Sequence, residues 1–389
     1  MALAEPGPTT DRGRQDQPRV WLLLGDKRGD NAQVLAIEQA LGWRCERKHL
    51  EMQEPWTIGK PRVAASLHHV DLARSDPLEP PWPDLIITIG RRPSMVALWV
   101  AEQSGGRTRL VLVGKPSGKM ERFDLVVVGA EAQMPPLDRV LRITLPLMRA
   151  DEAAVAAAAR AWAPRFADLP RPLVGFMIGG PTGPFVYDRA VTDRVLGLVA
   201  EVLAQGGTPY VSTSRRTPPA TVEGLAAGLP QEARLFRWTP DGPDNPYLGL
   251  LGLADGLVVT GDSISMMVEC IRLRRPLAIF NLPSSRLGAL DHVRRSLAHL
   301  VFAPAVDAPP GSLRRRLALA AYRLGLVSYT RDFRAFYRML IERGFAVPAG
   351  RPFAPPTGEV PDDLARVVAR IRDLMDGAQA RRLAGSGTP

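Results

Sequence analysis

The sequence predicts an α/β protein of two consecutive domains, each a parallel β-sheet covered by helices. Three observations carry this. Short, near-continuous apolar runs recur along the chain, the pattern of strands buried on both faces. Segments of helical period alternate with them, so successive strands are joined by crossover helices. The series occurs twice, on either side of a proline-bearing stretch.

The first series occupies residues 20–150. Strands are read at 19–26 (RVWLLLGD), 83–90 (PDLIITIG), 108–114 and 123–129, and helices at 32–42 and 94–106, both ending on glycine. Residues 1–19 are polar and proline-bearing, without the apolar stretch of a signal peptide, and read as a disordered tail. The prolines of WAPRFADLPRP place a linker over 151–172. The second domain, 173–345, carries strands at 172–180, 208–214, 232–238, 255–261 and 275–283. Helices at 187–207, 219–229, 245–254 and 263–274 separate them. Residues 346–389 read as a C-terminal helix and a Gly/Ser/Pro tail. Two such domains suggest a bilobed enzyme with its ligand in the cleft between them.

The 389 residues are 46% apolar, enough for two filled cores. The net charge of +10 rests on arginine, with lysine only at positions 27, 48, 60, 115 and 119. Arginine, alanine and proline usage of this kind fits a GC-rich genome, so a nucleic-acid partner is not expected. A basic surface does favour phosphorylated ligands or an anionic membrane face. Cys45 and Cys270 lie far apart in apolar-periodic segments and read as buried thiols of a reducing compartment. No run of eighteen apolar residues occurs, so no bilayer span is expected. The expected location is cytoplasmic, including the cytoplasmic face of the inner membrane.

Four polar turns between strand and helix are candidate sites. In LLLGDKRGDNAQ, Gly29 permits close backbone approach, and Asp30 is either the cap of a helix beginning near Asn31 or a carboxylate base. In FMIGGPTGPFVYD, the glycines form either a phosphate-cradling loop or a tight turn. In VSTSRRTP, hydroxyls and two arginines end a strand, and arginine matches diphosphate oxygens with two donors. In LADGLVVTGDSISMMVECI, Asp262 or Ser263 can cap a helix. There Ser265 and Glu269 share one face, and a carboxylate so placed accepts two hydrogen bonds from a ribose diol. The plain alternative for Glu269 is a solvated surface side chain. The histidines at 49, 68, 69, 292 and 299 show no zinc spacing, and LHHVD reads as a polar strand edge. No metal site or cofactor is expected.

Three of these segments, IGGPTGPF, TSRRTP and NPYLGLLGLADGLVVTGDSISMMVE, resemble in this order the mitochondrial-fission family, named for its plant members. GDKRGDNAQ is similar to that family's N-terminal signature, with Gly29, Asp30 and Gln33 matching and Ala32 standing in place of an asparagine. The resemblance covers roughly residues 20–345 and implies a layout like that of GT-B glycosyltransferases, two Rossmann-like domains facing a cleft. It implies a C-terminal domain that binds a nucleotide-sugar donor through Gly179, Gly180, Thr182, Ser212, Ser214, Arg215, Arg216, Asn245, Asp262, Ser263, Ser265 and Met266, with Glu269 on the ribose. It places the acceptor in the N-terminal domain near Gly29, Asn31, Gln33, Arg91 and Arg92, with Asp30 as base. The implied activity is metal-independent transfer of a sugar to a cell-envelope or lipid-linked acceptor. Two alternatives stand beside it: a nucleotide-sugar epimerase of the same fold, and a non-catalytic adaptor peripheral to the membrane.

Overall fold

The computed structural model describes residues 17–57, 63–118, 120–240, 244–284 and 288–385. The tail expected over 1–19 therefore lies, up to residue 16, outside the described residues, as does the end of the C-terminal tail. The chain forms two compact α/β units. One takes the chain through Gly129, Leu137–Leu147 and the segment from Asp362 onward; the other takes Ala130–Pro136 and Met148–Pro361.

The first unit contains β1 (Val20–Leu24), α1 (Arg28–Leu41), β2 (Cys45–His49), α2 (Glu54–Thr57), β3 (Leu85–Ile89), α3 (Arg91–Gln103), β4 (Arg109–Val113) and β5 (Leu125–Val128). The chain then leaves it for β6 (Ala132–Gln133) and returns with β7 (Val140–Arg142). The sheet order is β2-β1-β3-β4-β5-β7, parallel throughout. β1, β3 and β5 are buried along their whole length, as their unbroken apolar runs require. β2, CERKH, has no such run, and it lies at the sheet edge, where charged side chains reach water.

The second unit adds α4 (Glu152–Phe166), β8 (Leu173–Ile178), α5 (Arg189–Ala204), β9 (Thr208–Thr213), α6 (Pro219–Gly228), β10 (Arg234–Phe236), α7 (Tyr247–Leu253), β11 (Gly256–Thr260), α8 (Ile264–Arg272) and β12 (Leu277–Phe280). After these come α9 (Gly288–Val306), α10 (Leu313–Arg323), β13 (Thr330–Arg331), α11 (Phe333–Glu342) and β14 (Val347–Pro348). Its parallel sheet runs β10-β9-β8-β11-β12-β14, and β13 pairs antiparallel with β6.

Two expected boundaries are corrected. Most of the linker read over 151–172 is helix α4, which packs on α7. Its alanine run has the highest helix propensity, and Asp151 caps it by accepting the N–H of Ala154 at 2.8 Å. Pro164 falls near the helix end, where it does not break the turn. The C-terminal segment is not one appendage. β14 extends the second sheet, whereas α12 (Asp363–Gly385) returns to the first unit, where Val367, Val368 and Ile371 join the core under α1. Asp363, almost fully buried, fixes that return by accepting the N–H of Thr144 at 2.7 Å.

Candidate functional site

In the second sheet the chain steps outward from β8 through β9 to β10, then crosses back to place β11 on the other side of β8. β8 and β11 therefore flank the topological switch point, where diverging loops open a crevice beyond the strand ends. The loop after β8 carries Gly179, Gly180 and Thr182; the loop after β9 carries Ser214, Arg215 and Arg216; the loop after β11 carries Asp262 and Ser263. Three segments scattered in sequence thus meet because of strand order.

Asp262 organises them. Its Oδ2 accepts the backbone N–H of Gly180 at 2.9 Å and the hydroxyl of Ser263 at 3.1 Å. Its Oδ1 accepts the hydroxyl of Tyr187 at 2.5 Å. Arg216 Nη2 lies 3.3 Å from Oδ2, while Nη1 donates to Thr182 Oγ1 at 2.8 Å. The Asp262 side chain is completely buried, whereas that of Arg216 remains 46% exposed. A buried carboxylate survives only when paired and hydrogen-bonded, and this one has both. Burial and the Asp262 charge push the Tyr187 phenol far above its ordinary pKa, so it stays a donor.

The glycines are explained by this packing. A Cβ on Gly179 would lie 2.1 Å from Asp262 Oδ2, and one on Gly180 would lie 2.1 Å from the Arg216 carbonyl oxygen. The cradle read from the glycines is corrected accordingly: the Gly179 N–H goes to Thr260 Oγ1 at 2.8 Å and that of Gly180 to Asp262. The donors left at the crevice are the outer face of Arg216, the exposed Arg215 and the first-turn N–H groups of α8. Ser263 occupies the cap position of α8, but its hydroxyl turns to Asp262 and neither residue caps the helix through its side chain. Ser214 is also structural, donating to the Gly179 carbonyl at 3.1 Å, and Ser212 is buried within β9. Asn245 begins α7 by accepting the Tyr247 N–H at 3.0 Å.

On α8, Ser265 is exposed and Met266 half-buried, one turn before Glu269. Glu269 is not a solvated surface residue. It is half-buried, and its Oε2 accepts the hydroxyl of Tyr247. Burial raises its pKa above the ordinary value, and the Tyr247 hydrogen bond only partly offsets this. Oε1 has no partner among the described residues.

The first sheet has its own switch point between β1 and β3, and its candidates cluster there. Asn31 bonds Gly25 in both directions, donating to the carbonyl at 2.7 Å and accepting the N–H at 3.2 Å. Gln33 accepts the Leu147 N–H at 3.1 Å. Both amides hold backbone in place. α1 starts at Arg28, with Lys27 at the cap position, so the cap reading of Asp30 is corrected: it sits half-buried in the first turn. Gly29 is exposed, and nothing would obstruct a Cβ there. Arg91 donates to Ser117 Oγ at 3.0 Å, and the Arg92 carbonyl oxygen lies 3.3 Å from His69 Nε2. His69 is fully buried beside Trp56 and His68 rather than on a polar edge, and burial lowers its pKa.

Tyr187, Tyr247 and Thr260 are not among the residues expected from the sequence. Each lies in a candidate segment, but a tyrosine between strand and helix carries no signal until its partner carboxylate is known.

Among solved structures, the chain is similar to MurG of Acinetobacter baumannii, at 14% identity over 92% of this chain and 100% of that one, with a TM-score of 0.41. It is also similar to a UDP-GlcNAc 2-epimerase of Methanocaldococcus jannaschii, at 10% identity over 91% and 99%, with a TM-score of 0.44. Among sequences, it is 28% identical to the mitochondrial fission protein ELM1 of Arabidopsis thaliana over 59% of this chain, spanning 56% of that protein. The profile of the family described as Mitochondrial fission ELM1 matches residues 28–318, well over half of the 389, and the chain belongs to that family.

Proposed function

We propose that this protein is a glycosyltransferase that moves a sugar from a nucleotide-diphosphate donor without a metal ion. The observation that supports this most is the half-exposed guanidinium of Arg216, fixed by Thr182 and the buried Asp262 beside the N-terminus of α8. Fixed donors aimed at a leaving diphosphate stabilise the charge that develops as the glycosidic bond breaks. Arg215 adds a second cation, and the sequence offers no D-x-D cradle to hold a metal in their place. Glu269 accepts the ribose diol through Oε1, with Oε2 held by Tyr247.

In this reading Asp30 removes the proton of an acceptor hydroxyl, and Arg91 and Arg92 flank the acceptor. The acceptor is a cell-envelope or lipid-linked molecule at the cytoplasmic face of the membrane, consistent with the net charge of +10. Incubation of the purified protein with a panel of UDP-, GDP- and ADP-sugars tests the donor half. Protection against thermal unfolding by one nucleoside diphosphate supports it, by selective binding to the folded state. An epimeric product formed without acceptor would instead assign the site to epimerisation.

A further inference from the structure

We propose that the α9–α10 hairpin docks this protein on an anionic lipid bilayer. Among the described residues, nine large hydrophobic side chains are exposed, and seven of them lie between Val293 and Leu326. The two helices pack on each other through Ala298, Phe302, Ala305 and Ala318, and Val327 of the segment after α10 joins this small core. Each then presents a second apolar stripe away from that small core. At roughly 100° per residue, Val293, Leu297 and Leu300 of α9 fall on one line, as do Leu313 and Leu317 of α10 with Leu324 at its C-terminal cap. Leu300 is 71% exposed and Leu324 is 74% exposed. Each helix thus has an apolar stripe beside its core face as well as the core face itself, and among the described residues only the core face is covered.

The charges select the other. Residues 293–328 hold six arginines, Asp307 as their one carboxylate, and no lysine. On α10 the exposed Arg316 and Arg323 flank the leucine stripe on one side and the exposed Arg314 on the other. Arginines bordering an apolar stripe lay their stems along it and lift their heads to headgroup level, the arrangement of a helix lying in a membrane interface. A second copy of this chain would bring the same arginines against themselves, so the charge disfavours a self-interface. An anionic bilayer answers both features, taking the leucines into its acyl boundary and the arginines at its phosphates. The surface lies outside the loops of the donor site, and its test requires no nucleotide.

The test is co-sedimentation of the full chain with vesicles of phosphatidylcholine alone and of phosphatidylcholine mixed with phosphatidylglycerol. The expected result is binding to the mixed vesicles that weakens with salt and exceeds binding to the neutral ones. The triple variant Leu300→Ser, Leu317→Ser, Leu324→Ser alters only exposed positions and is expected to keep the wild-type melting temperature. It should bind mixed vesicles roughly tenfold more weakly or worse, since each leucine loses its apolar transfer. Arg314→Ala with Arg316→Ala should reduce binding to the mixed vesicles alone. Equal binding to both compositions, no binding to the mixed vesicles, or full binding by the folded triple variant would each overturn the proposal. So would a wild-type dimer in solution that the triple variant converts to monomer, which would make this face a self-interface.

Discussion

The carboxylate of Asp262 accepts the backbone N–H of Gly180 at 2.9 Å, tying the loop after β11 to the loop after β8 across the switch point. The same carboxylate holds Tyr187 and Arg216, so one buried charge sets the shape of three loops. Asp262→Ala should remove these bonds and leave buried donors unsatisfied. Hydrogen bonds to a charged group are worth about 1.5–3 kcal/mol each, so a loss of several kcal/mol is expected in chemical denaturation. Asp262→Asn keeps one acceptor and should lose less.

Gly179→Ala tests the same packing from the other side. Its Cβ would have to share space with Asp262 Oδ2 and Ser263 Oγ, at 2.1 and 2.3 Å. Neither atom is the free end of a flexible chain, so the variant should be destabilised by about 1–3 kcal/mol, the range for overpacking. Gly29→Ala, where a Cβ meets nothing within 4 Å, is the matched control and should leave the melting temperature near wild type.

Much of this arrangement was legible in the sequence. The apolar runs of β1, β3, β8 and β11 mark parallel strands because both faces are buried, and the polar turns that follow them mark the carboxyl ends of those strands. The internal use of those turns was not legible. Glycines before a helix read equally as a phosphate cradle or as space for a neighbour; only the partner, Asp262 some eighty positions later, decides between them. The prolines around α4 masked its helical alanine run, β2 lacks an apolar run because its charged side chains face water at a sheet edge, and β14 is only two residues long. The return of α12 to the first unit depends on Asp363 meeting a backbone N–H far away in the chain, which no local pattern encodes.

Glu269 gives the pH dependence. Burial raises its pKa above the ordinary 4.5, so it takes up its proton at a higher pH than a solvated glutamate. A ribose diol donates to the ionised form, so nucleotide affinity should fall as pH is lowered through this raised pKa. Folding stability has the opposite sign. The folded state binds the proton more tightly than the unfolded chain, so this contribution is present at low pH and lost as pH rises through the folded pKa. Glu269→Gln should flatten both profiles. Glu269→Ala should weaken nucleotide binding about ten- to a hundred-fold by calorimetry.

Asp30 and Glu269 are assigned different work, and kinetics separates them. Asp30 lies in the first turn of α1, where its charge favours the helix by about 0.3–1 kcal/mol. Asp30→Asn should therefore cost little stability and leave nucleotide affinity unchanged. As the base, its loss should lower turnover by about a hundred-fold or more. Full turnover in Asp30→Asn would remove that assignment without touching the donor site.

In the proposed function, the crevice at the β8–β11 switch point holds a nucleotide diphosphate under Arg216. Isothermal titration of wild type, Arg216→Ala and Glu269→Ala with UDP, GDP and ADP measures this directly. Saturable binding of at least one diphosphate by wild type is expected. Arg216→Ala should weaken the diphosphate about ten-fold or more while leaving the parent nucleoside unaffected, and Glu269→Ala should weaken both. No binding of any of the three nucleotides at millimolar concentration, or equal affinity in wild type and Arg216→Ala, would contradict it.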